Sequence, residues 1–435
     1  MSPTFRSLSN RNYRLYASGA VVSNVGTWMQ RVAQDWLVLQ LTGNNGTALG
    51  VTTGLQFLPI LLLSPYAGLV ADRFPKRRLL QVTQLMLAVP ALVLGLLAVT
   101  GVAQTWHVYL LAFVFGIGSA FDAPARQSFV AEIVGTDDLT NAVGLNSASF
   151  NLARMVGPAV AGLLIAALGS GVPATGAVIV LNALSYGAVV LSLQRMRPAD
   201  LRPATPATRT KGMIGDGVRY TMARPDLVLI LTIVFFTGTF GLNFQLTSAL
   251  MATEVFHQGA GEYGLLGTTL AVGSLSGALL AARRVRVRHR TVVLAALGFG
   301  AAEVVAGLLP TYLAFAVWTP VLGIASLTMI TAANATFQLS VAPHMRGRVM
   351  ALYMMVFMGG TPLGAPIVGW VGETFGARWT LVGGGLATIL GTMLAVLVFL
   401  RATAAGRRQV PEPVAVTPDG DARGDRTPAP VVRSG

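Results

Sequence analysis

The sequence predicts an all-α integral membrane protein with twelve transmembrane helices in two pseudo-symmetric six-helix bundles. Three observations lead to this fold class. The chain of 435 residues is 53% hydrophobic and only 11% charged, whereas a soluble globular protein carries about 25% charged residues. Its apolar residues form runs long enough to cross a bilayer, and two landmarks recur in both halves of the chain.

Long apolar segments are the first of these observations. A helix needs ~20 predominantly apolar residues to cross ~30 Å of hydrocarbon. Several of the segments contain Gly or Pro, which a helix bundle tolerates when neighbouring helices satisfy the freed backbone groups. The predicted spans are 14–40, 47–70, 79–100, 105–125, 140–169, 174–194, 226–253, 260–282, 290–309, 311–339, 347–373 and 379–401.

Positive charge is distributed unevenly between the two sides of these segments. With the N-terminus placed inside, all but three of the 31 Lys and Arg residues fall on the cytoplasmic side. The exceptions are Arg31 and Arg154, within segments, and Arg378, on the outer side. Because Lys and Arg favour the cytoplasmic side, we expect both termini in the cytoplasm and the protein in the cell (inner) membrane. Residues 1–16 lack the features of a signal peptide, so the first helix is expected to insert uncleaved.

The recurring landmarks divide the chain into two similar halves. Parallel repeats of this kind place a substrate cavity between the halves near the bilayer midplane. The landmarks are GLVADRFPKRR (68–78) with RMVGPAVAG (154–162), and GALLAARRVRVRHR (277–290) with PLGAPIVG (362–369). The predicted parts are an N-terminal bundle at 1–195, a Pro-, Thr- and Arg-rich cytoplasmic linker at 196–225, a C-terminal bundle at 226–401 and a disordered cytoplasmic tail at 402–435.

Composition and motifs exclude several functions. The net charge of +14 would suggest nucleic acid if the basic residues shared a polar face with aromatic residues, but they lie between apolar runs. There is no Cys, and neither Lys76 nor Lys211 precedes the Ser or Thr of a P-loop. HExxH and GxSxG are also absent. We therefore expect no enzyme, no cofactor, no metal and no nucleic-acid partner.

The stretch GLVADRFPKRR resembles the signature between the second and third helices of the major facilitator superfamily, a Gly, then an Asp-Arg pair, then a basic cluster. Three positions depart from the family's patterns: Ala282 replaces the Asp of a second signature, Pro75 replaces a turn Gly, and Ala161 interrupts a Gly pair. Four further stretches resemble the branch of this superfamily that contains the enterobactin exporter and macrolide efflux proteins. They are SNVGTWMQRVAQDWLVLQLTG (23–43), DDLTNAVGLN (137–146), ARMVGPAVAG (153–162) and RGRVMALYMMVFMGGTPLGAP (346–366).

This resemblance implies a secondary active transporter that exports a bulky amphipathic compound, such as a siderophore or macrolide-like drug, by proton antiport. We expect it to be a monomer. A membrane potential supplies ~2.3 kcal/mol per charge per 100 mV. Protons are favoured over sodium because the clearest cavity acid stands beside an Arg with no oxygen cage. Two alternatives stay open. A proton symporter importing a small nutrient would favour a densely polar cavity, and a membrane sensor or scaffold would show no substrate-dependent flux.

The first segment carries a polar stripe that suggests a proton site. Arg31 and Asp35 are four residues apart and hence neighbours on a helix. Burial favours the neutral acid of Asp35 while Arg31 favours its carboxylate, so we expect Asp35 to be the proton carrier and Arg31 its partner. A static ion pair is the alternative. The stripe, which is expected to face the cavity, comprises Asn24, Thr27, Arg31, Gln34 and Asp35.

Other polar residues within segments are further candidates, since a charge in hydrocarbon is expensive and usually functional. Glu303 is a second proton-site candidate, against packing on a neighbouring helix or contact with a lipid headgroup. Arg154 can bind an anionic substrate or pair with a carboxylate such as Asp35 or Asp122. The tenth segment adds a polar stripe with Thr328, Thr331, Asn334 and Gln338.

The resemblance also implies a cytoplasmic latch between the halves. Asp72 would lie at the N-terminal end of the eleventh helix, where the helix dipole favours a negative charge. Arg73 and Arg77 would reach Asp122 when the inner side is closed, and Gly68 would permit close helix approach. Solvated loop charge is the alternative. Bending or sealing of the interface, or else ordinary small-residue packing, is expected of Gly157, Pro158, Gly364 and Pro366.

Overall fold

The computed structural model describes residues 3–202, 213–282 and 288–408. Within these ranges every regular element is a helix, which confirms the predicted all-α class. The α-helices are α1 (Arg11–Thr42), α2 (Gly46–Arg73), α3 (Lys76–Val99), α4 (Thr105–Ala167), α5 (Val172–Arg195), α6 (Met213–Met222), α7 (Pro225–Phe236), α8 (Phe244–Leu250), α9 (Ala260–Ala282), α10 (His289–Leu308), α11 (Tyr312–Ser340), α12 (Arg346–Phe375) and α13 (Ala377–Arg408).

Ten stretches of helix in the described residues are long and apolar enough to cross a membrane. One of them, α4, has 63 residues, which at 1.5 Å per residue would extend about 95 Å if it were straight. It changes direction at Gly135, where φ is 71° and ψ is −171°, a conformation open to glycine but not to larger residues. The predicted segment 105–125 therefore lies in α4, as does 140–169 except for its last two residues. The polar helix α1 packs against α4 and α5.

The seventh predicted segment is not a continuous α-helix. A π-helical turn, Thr237–Gly241, separates α7 from α8, and a second π-helical turn, Met251–Val255, follows α8. The Asn243 side-chain amide donates to the Thr239 carbonyl oxygen at 2.8 Å. Because π-helical turns frequently occur at functional sites, the residues around this interrupted helix are candidates for a functional site.

The two halves of the chain share one apolar core at only one end of the molecule. We call the end where α1 begins the basic end, and the end that carries the Gly43 turn the opposite end. At the opposite end a single cluster of buried apolar residues contains members from both halves. Leu39 and Leu49 come from the N-terminal half, and Leu250 and Val368 come from the C-terminal half.

At the basic end the buried apolar residues form two separate clusters, each from one half of the chain. In the described residues, one cluster contains Tyr16 and Phe129, and the other contains Ile230 and Tyr353. In the described residues, the halves thus share one apolar core at the opposite end and have separate apolar cores at the basic end, as in a bundle whose central space opens toward the basic end.

Glycine allows the closest approach of the two halves. A β-carbon added at Gly50 of α2 would lie 2.3 Å from the Ala365 carbonyl oxygen of α12. A β-carbon added at Gly264 of α9 would lie 2.3 Å from the Pro158 carbonyl oxygen of α4. Any larger residue would force these backbones apart, since real β-carbons do not approach an oxygen so closely.

The segments outside the bundles are described in part. Residues 203–212 of the predicted linker, 283–287 of the second basic cluster and 409–435 of the predicted tail lie outside the described residues. The end of the linker forms the short helix α6. The last helix continues to Arg408, past the predicted end at 401, because Ala402 and Ala404 are strong helix formers.

Candidate functional site

A cavity of about 200 Å³ lies between the two halves. It is lined by residues of α1, α2, α4, α8, α9 and α12. Its walls combine aromatic rings with a few polar groups, a composition typical of small-molecule sites. The lining includes Trp28, Arg31, Phe57, Arg154, Phe244 and Tyr263.

Two arginines from different helices contact the same tryptophan in this cavity. The Arg31 guanidinium carbon lies 4.6 Å from the Trp28 ring centroid and 5.6 Å from the Phe57 ring centroid. The Arg154 guanidinium carbon lies 5.5 Å from the Trp28 ring centroid. These are cation–π distances. Both predicted cavity arginines therefore line the same site.

Asp35 has a partner that the sequence did not suggest. The Tyr263 hydroxyl of α9 donates to Asp35 Oδ2 of α1 at 2.9 Å, and the ring of Trp36 stacks on Tyr263 with centroids 6.3 Å apart. Asp35 is only 7% exposed. In the described residues no ion pair joins Asp35 to Arg31, so the expected neighbour on the helix is replaced by a hydrogen bond between the two halves.

The other predicted cavity residues occupy different surroundings. Gln34 is buried, and its side-chain amide donates to Gln56 Oε1 of α2 at 3.1 Å, so it joins α1 to α2 instead of lining the cavity. Asn24 of α1 and Asn334 of α11 are half-buried, and Gln338 is exposed. None of these four lines the 200 Å³ cavity.

Glu303 lies away from the cavity, on α10, with 1% of its surface exposed. Its Oε2 atom has no hydrogen-bond partner among the described residues. Glu303 Oε2 and the buried Thr388 hydroxyl of α13 both lie close to Gly241 in the first π-helical turn. The Thr388 hydroxyl also has no hydrogen-bond partner among the described residues. This burial excludes the expected alternative of a lipid headgroup contact.

Asp122 is held within its own half. It accepts hydrogen bonds from the Thr83 hydroxyl at 2.8 Å and from the Gln84 amide at 2.7 Å. Its ion pair is with Arg126, one helical turn away, at 3.0 Å. Asp122 therefore does not supply a carboxylate to Arg154.

The predicted latch is not assembled through Asp122 in this conformation. Arg77 instead donates to the carbonyl oxygens of Leu193 and Gln194, at 2.7 and 3.1 Å. Arg73 is exposed at the end of α2, and Asp72 and Gly68 are half-buried on the same helix. The expectation of Arg73 or Arg77 on Asp122 applied to a conformation closed at this end, and here the described residues of the two halves form separate apolar clusters at the basic end.

Two polar contacts were not predicted from the sequence, one within the N-terminal half and one between the halves. Lys76 and Glu132 form a buried ion pair at 2.6 Å within the N-terminal half. At the opposite end, Glu373 of α12 accepts from the Asn45 side-chain amide at 2.7 Å and from the Thr47 backbone N–H at 3.2 Å. The second contact places a carboxylate at the N-terminus of α2, where the helix dipole favours it.

The predicted Gly and Pro positions lie where helices meet. Gly157 faces α1, where an added β-carbon would lie 2.5 Å from Trp28 Cβ. Pro158 faces Gly264 of α9, and Pro366 faces Gly54 of α2. Gly364 faces the first π-helical turn, where an added β-carbon would lie 1.6 Å from the Thr239 carbonyl oxygen.

Spanning helices in two halves around a central cavity are the arrangement of membrane transporters of the major facilitator type. Comparison with known proteins agrees with this class. Residues 2–423 match the family described as "Transmembrane secretion effector". The chain belongs to this family.

Characterised relatives cover most of the chain. The staphyloferrin A transporter of Staphylococcus aureus is 26% identical over 88% of this chain and 94% of its own length. The multidrug efflux pump Tap of Mycolicibacterium fortuitum is 27% identical over 87% of this chain and 93% of its own length. The macrolide efflux protein A of Streptococcus pyogenes is 25% identical over 86% and 92%.

Solved structures share the fold at low identity. A bacterial homologue of the human lysosomal transporter Spinster, in an inward-facing and occupied conformation, gives a TM-score of 0.67 at 17% identity and covers 92% of this chain and 97% of its own. A POT family transporter in complex with 5-aminolevulinic acid gives a TM-score of 0.69 at 10% identity, covering 91% and 97%. The major facilitator fold predicted from the sequence is confirmed.

Proposed function

We propose that this protein exports a bulky amphipathic compound, such as a siderophore or a macrolide-like drug, in exchange for protons. The names of its relatives, a siderophore transporter and two kinds of efflux pump, support this substrate class. The basic end lies in the cytoplasm with both termini, because Lys and Arg concentrate there. The protein works as a monomer in the cell (inner) membrane, with no cofactor.

The observation that carries this proposal is a cavity between two halves that are joined at one end only. The shared cluster at the opposite end closes the outer side, and the separate clusters at the basic end leave a path from the cytoplasm. Substrate enters from the cytoplasm in this state. Rocking of the halves about the cavity then exposes the substrate to the other side.

The cavity walls suit a ligand with both apolar surface and oxygen atoms. Trp28 and Phe57 offer aromatic faces, while Arg31 and Arg154 offer N–H donors from the neighbouring helices α1 and α4. An arginine presents several donors in a fixed fork and accepts nothing. The site therefore selects acceptor-rich compounds, and the remainder of a bulky molecule extends from it toward the basic end.

Asp35 carries the proton. In this conformation the Tyr263 hydroxyl donates to it, and a donated hydrogen bond stabilises a carboxylate. When the halves part at the opposite end, Tyr263 moves away with its half, and the buried acid then favours its protonated form. The proton is thus bound from outside and released inside, while substrate moves outward. Glu303 is the second proton-binding candidate.

The basic end closes in the outward-facing half of the cycle. Asp72 and Arg73 at the end of α2, with Gly68 one turn earlier, form the latch with α12 in that state. Arg77 and Asp122 exchange their present partners as the latch forms.

An efflux panel in an exporter-deficient host tests this function. Cells expressing the protein are expected to gain resistance to siderophore-like or macrolide-like compounds and to expel them, and a protonophore is expected to abolish expulsion. Asp35→Asn is expected to remove uncoupler-sensitive efflux at equal expression. Inward accumulation of a nutrient would support symport instead, and no substrate-dependent flux across a broad panel would contradict a transport function.

A further inference from the structure

The cavity contains a positive charge that the protein itself does not neutralise. Arg31 and Arg154 have ring contacts, but no hydrogen bond or ion pair to either side chain occurs in the described residues. A charged group in a low-dielectric site is costly unless it is paired or hydrated. Two guanidinium groups held in one cavity therefore need an explanation beyond packing.

The nearby carboxylates are committed to other partners. Asp122 pairs with Arg126, and Asp35 accepts from Tyr263. Asp35 is one turn from Arg31 and offsets part of its charge, but the second guanidinium stays uncompensated. A ligand that enters this cavity thus meets a net positive field.

The fold holds the two guanidiniums in place before any ligand arrives. Gly157 lets α4 approach α1 so closely that an added β-carbon would lie 2.5 Å from Trp28 Cβ. Arg154, one turn before Gly157, consequently reaches the same indole ring that Arg31 contacts. Stacking on rings restricts both side chains, and such preorganised guanidinium groups suit bidentate binding of carboxylates.

The size of the cavity indicates which part of a ligand it holds. Its volume of about 200 Å³ is below the ~300–1,000 Å³ typical of sites that enclose a drug-sized ligand. It accommodates a charged head with an adjoining planar or apolar group beside Trp28 and Phe57. The rest of the molecule extends toward the basic end.

We propose that the Arg31–Trp28–Arg154 cluster is an anion-binding site and that the exported compounds carry one or more carboxylates next to an aromatic or apolar group. This inference rests on the proposed export function and narrows its substrate class. It sets the protein apart from pumps whose cavities select lipophilic cations. The outward movement of an anion is also favoured by a membrane potential that is negative inside.

Three fluorescent probes that share one aromatic group separate charge from hydrophobicity. Dansyl-glutamate carries two carboxylates, dansylamide is neutral, and dansylcadaverine is a cation. Binding is measured by fluorescence anisotropy to the purified full-length protein in lipid nanodiscs. We expect dansyl-glutamate to bind at least about tenfold more tightly than dansylamide, since hydrogen bonds between charged groups are strong, and dansylcadaverine to bind no better than dansylamide.

Substitutions assign the preference to this cluster. Arg31→Gln and Arg154→Gln are each expected to remove most of the preference for dansyl-glutamate over dansylamide, measured as the ratio of their dissociation constants. Arg31→Lys and Arg154→Lys keep the positive charge but lose the forked arrangement of N–H donors. They are expected to retain part of the preference for dansyl-glutamate. Arg401→Gln, an exposed position on α13, is the matched control and is expected to bind like the wild type. Thermal unfolding checks that each variant folds, and the Lys variants serve if a Gln variant does not.

Equal affinity for the three probes, a preference for dansylcadaverine, or an anion preference that survives both Gln variants would overturn the inference. Its failure differs from failure of the export proposal. If dansyl-glutamate binds selectively but no compound moves in energised proteoliposomes, the anion site stands and the export function fails. If dansylcadaverine is exported and both Gln variants export it normally, export stands and the anion site fails.

Discussion

The hydroxyl of Tyr263 donates to Asp35 at 2.9 Å across the boundary between the two halves. One residue lies on α1 and the other on α9, so the bond exists only while the halves are together at that level. Its acceptor is the acid that we propose as the proton carrier. In that proposal, this contact links the protonation state of Asp35 to the position of the halves.

Loss of this bond is expected to favour the outward-facing state. Tyr263→Phe removes one hydrogen bond to a charged group, worth ~1.5–3 kcal/mol, and should raise the outward-to-inward ratio by about tenfold or more. Distances between spin labels at the opposite end measure the ratio. Tyr312→Phe is the matched control, because the Tyr312 hydroxyl donates to the Glu262 carbonyl oxygen within one half. Equal distributions for the two variants would contradict the role of Tyr263.

The glycine contacts at the opposite end are expected to limit closure. Gly50→Ala places a methyl group 2.3 Å from the Ala365 carbonyl oxygen, so α2 and α12 must separate, at a cost of ~1–3 kcal/mol to the inward-facing state. Labelling of a cysteine introduced near Gly43 should become faster. Gly187→Ala on α5, where an added β-carbon has no neighbour within 4 Å, should leave the labelling rate unchanged. Unchanged labelling in Gly50→Ala would show that α2 and α12 do not seal this end.

The buried pair of Lys76 and Glu132 is expected to behave as a unit. Both side chains are less than a tenth exposed, and their charged atoms are 2.6 Å apart. Lys76→Met should destabilise the protein by ~3–5 kcal/mol, because it leaves a buried carboxylate unpaired. Adding Glu132→Leu should restore much of the loss. The midpoint of thermal unfolding in detergent measures both effects, and additive losses would contradict the pairing.

The buried carboxyl group of Glu303 is expected to lower the stability of the folded protein. A buried carboxyl oxygen without a partner costs ~1–3 kcal/mol, so Glu303→Leu should raise the unfolding midpoint. If Glu303 binds a proton during transport, Glu303→Gln should also lower the number of protons moved per substrate. Gln34→Leu is a useful contrast, since Gln34 is buried with a partner and its loss should lower the midpoint. A lower midpoint for Glu303→Leu would mean that the carboxyl group contributes to packing.

Patterns of apolar residues along the chain predicted the helices well. Crossing a bilayer requires long apolar runs, so the predicted segments coincide with helices of the structure. The reversal at Gly135 within α4 and the π-helical turns of the seventh segment were not predicted. Both depend on how the backbone is held by neighbouring helices, and neither leaves a periodic signal.

The sequence indicated individual candidate residues, but it did not indicate which side chains would contact one another. Charges within predicted spans drew attention to Arg31, Asp35, Arg154 and Glu303. Of these, Arg31 and Arg154 line the cavity, whereas Glu303 lies away from it. The partner of Asp35 lies on a helix far along the chain, and Tyr263 is an ordinary residue of an apolar segment until packing brings it there. The pair of Asp122 and Arg126 is different, because its spacing of four residues on one helix was visible and was overlooked.

Proton-driven transport by the reconstituted protein shows whether Asp35 couples protons to substrate movement. Vesicles containing wild-type protein and an imposed pH gradient are expected to concentrate substrate against its gradient. Asp35→Asn vesicles should still exchange labelled for unlabelled substrate but should no longer concentrate it. If Asp35→Asn vesicles concentrate substrate as the wild type does, Asp35 is not the proton carrier and the account is wrong.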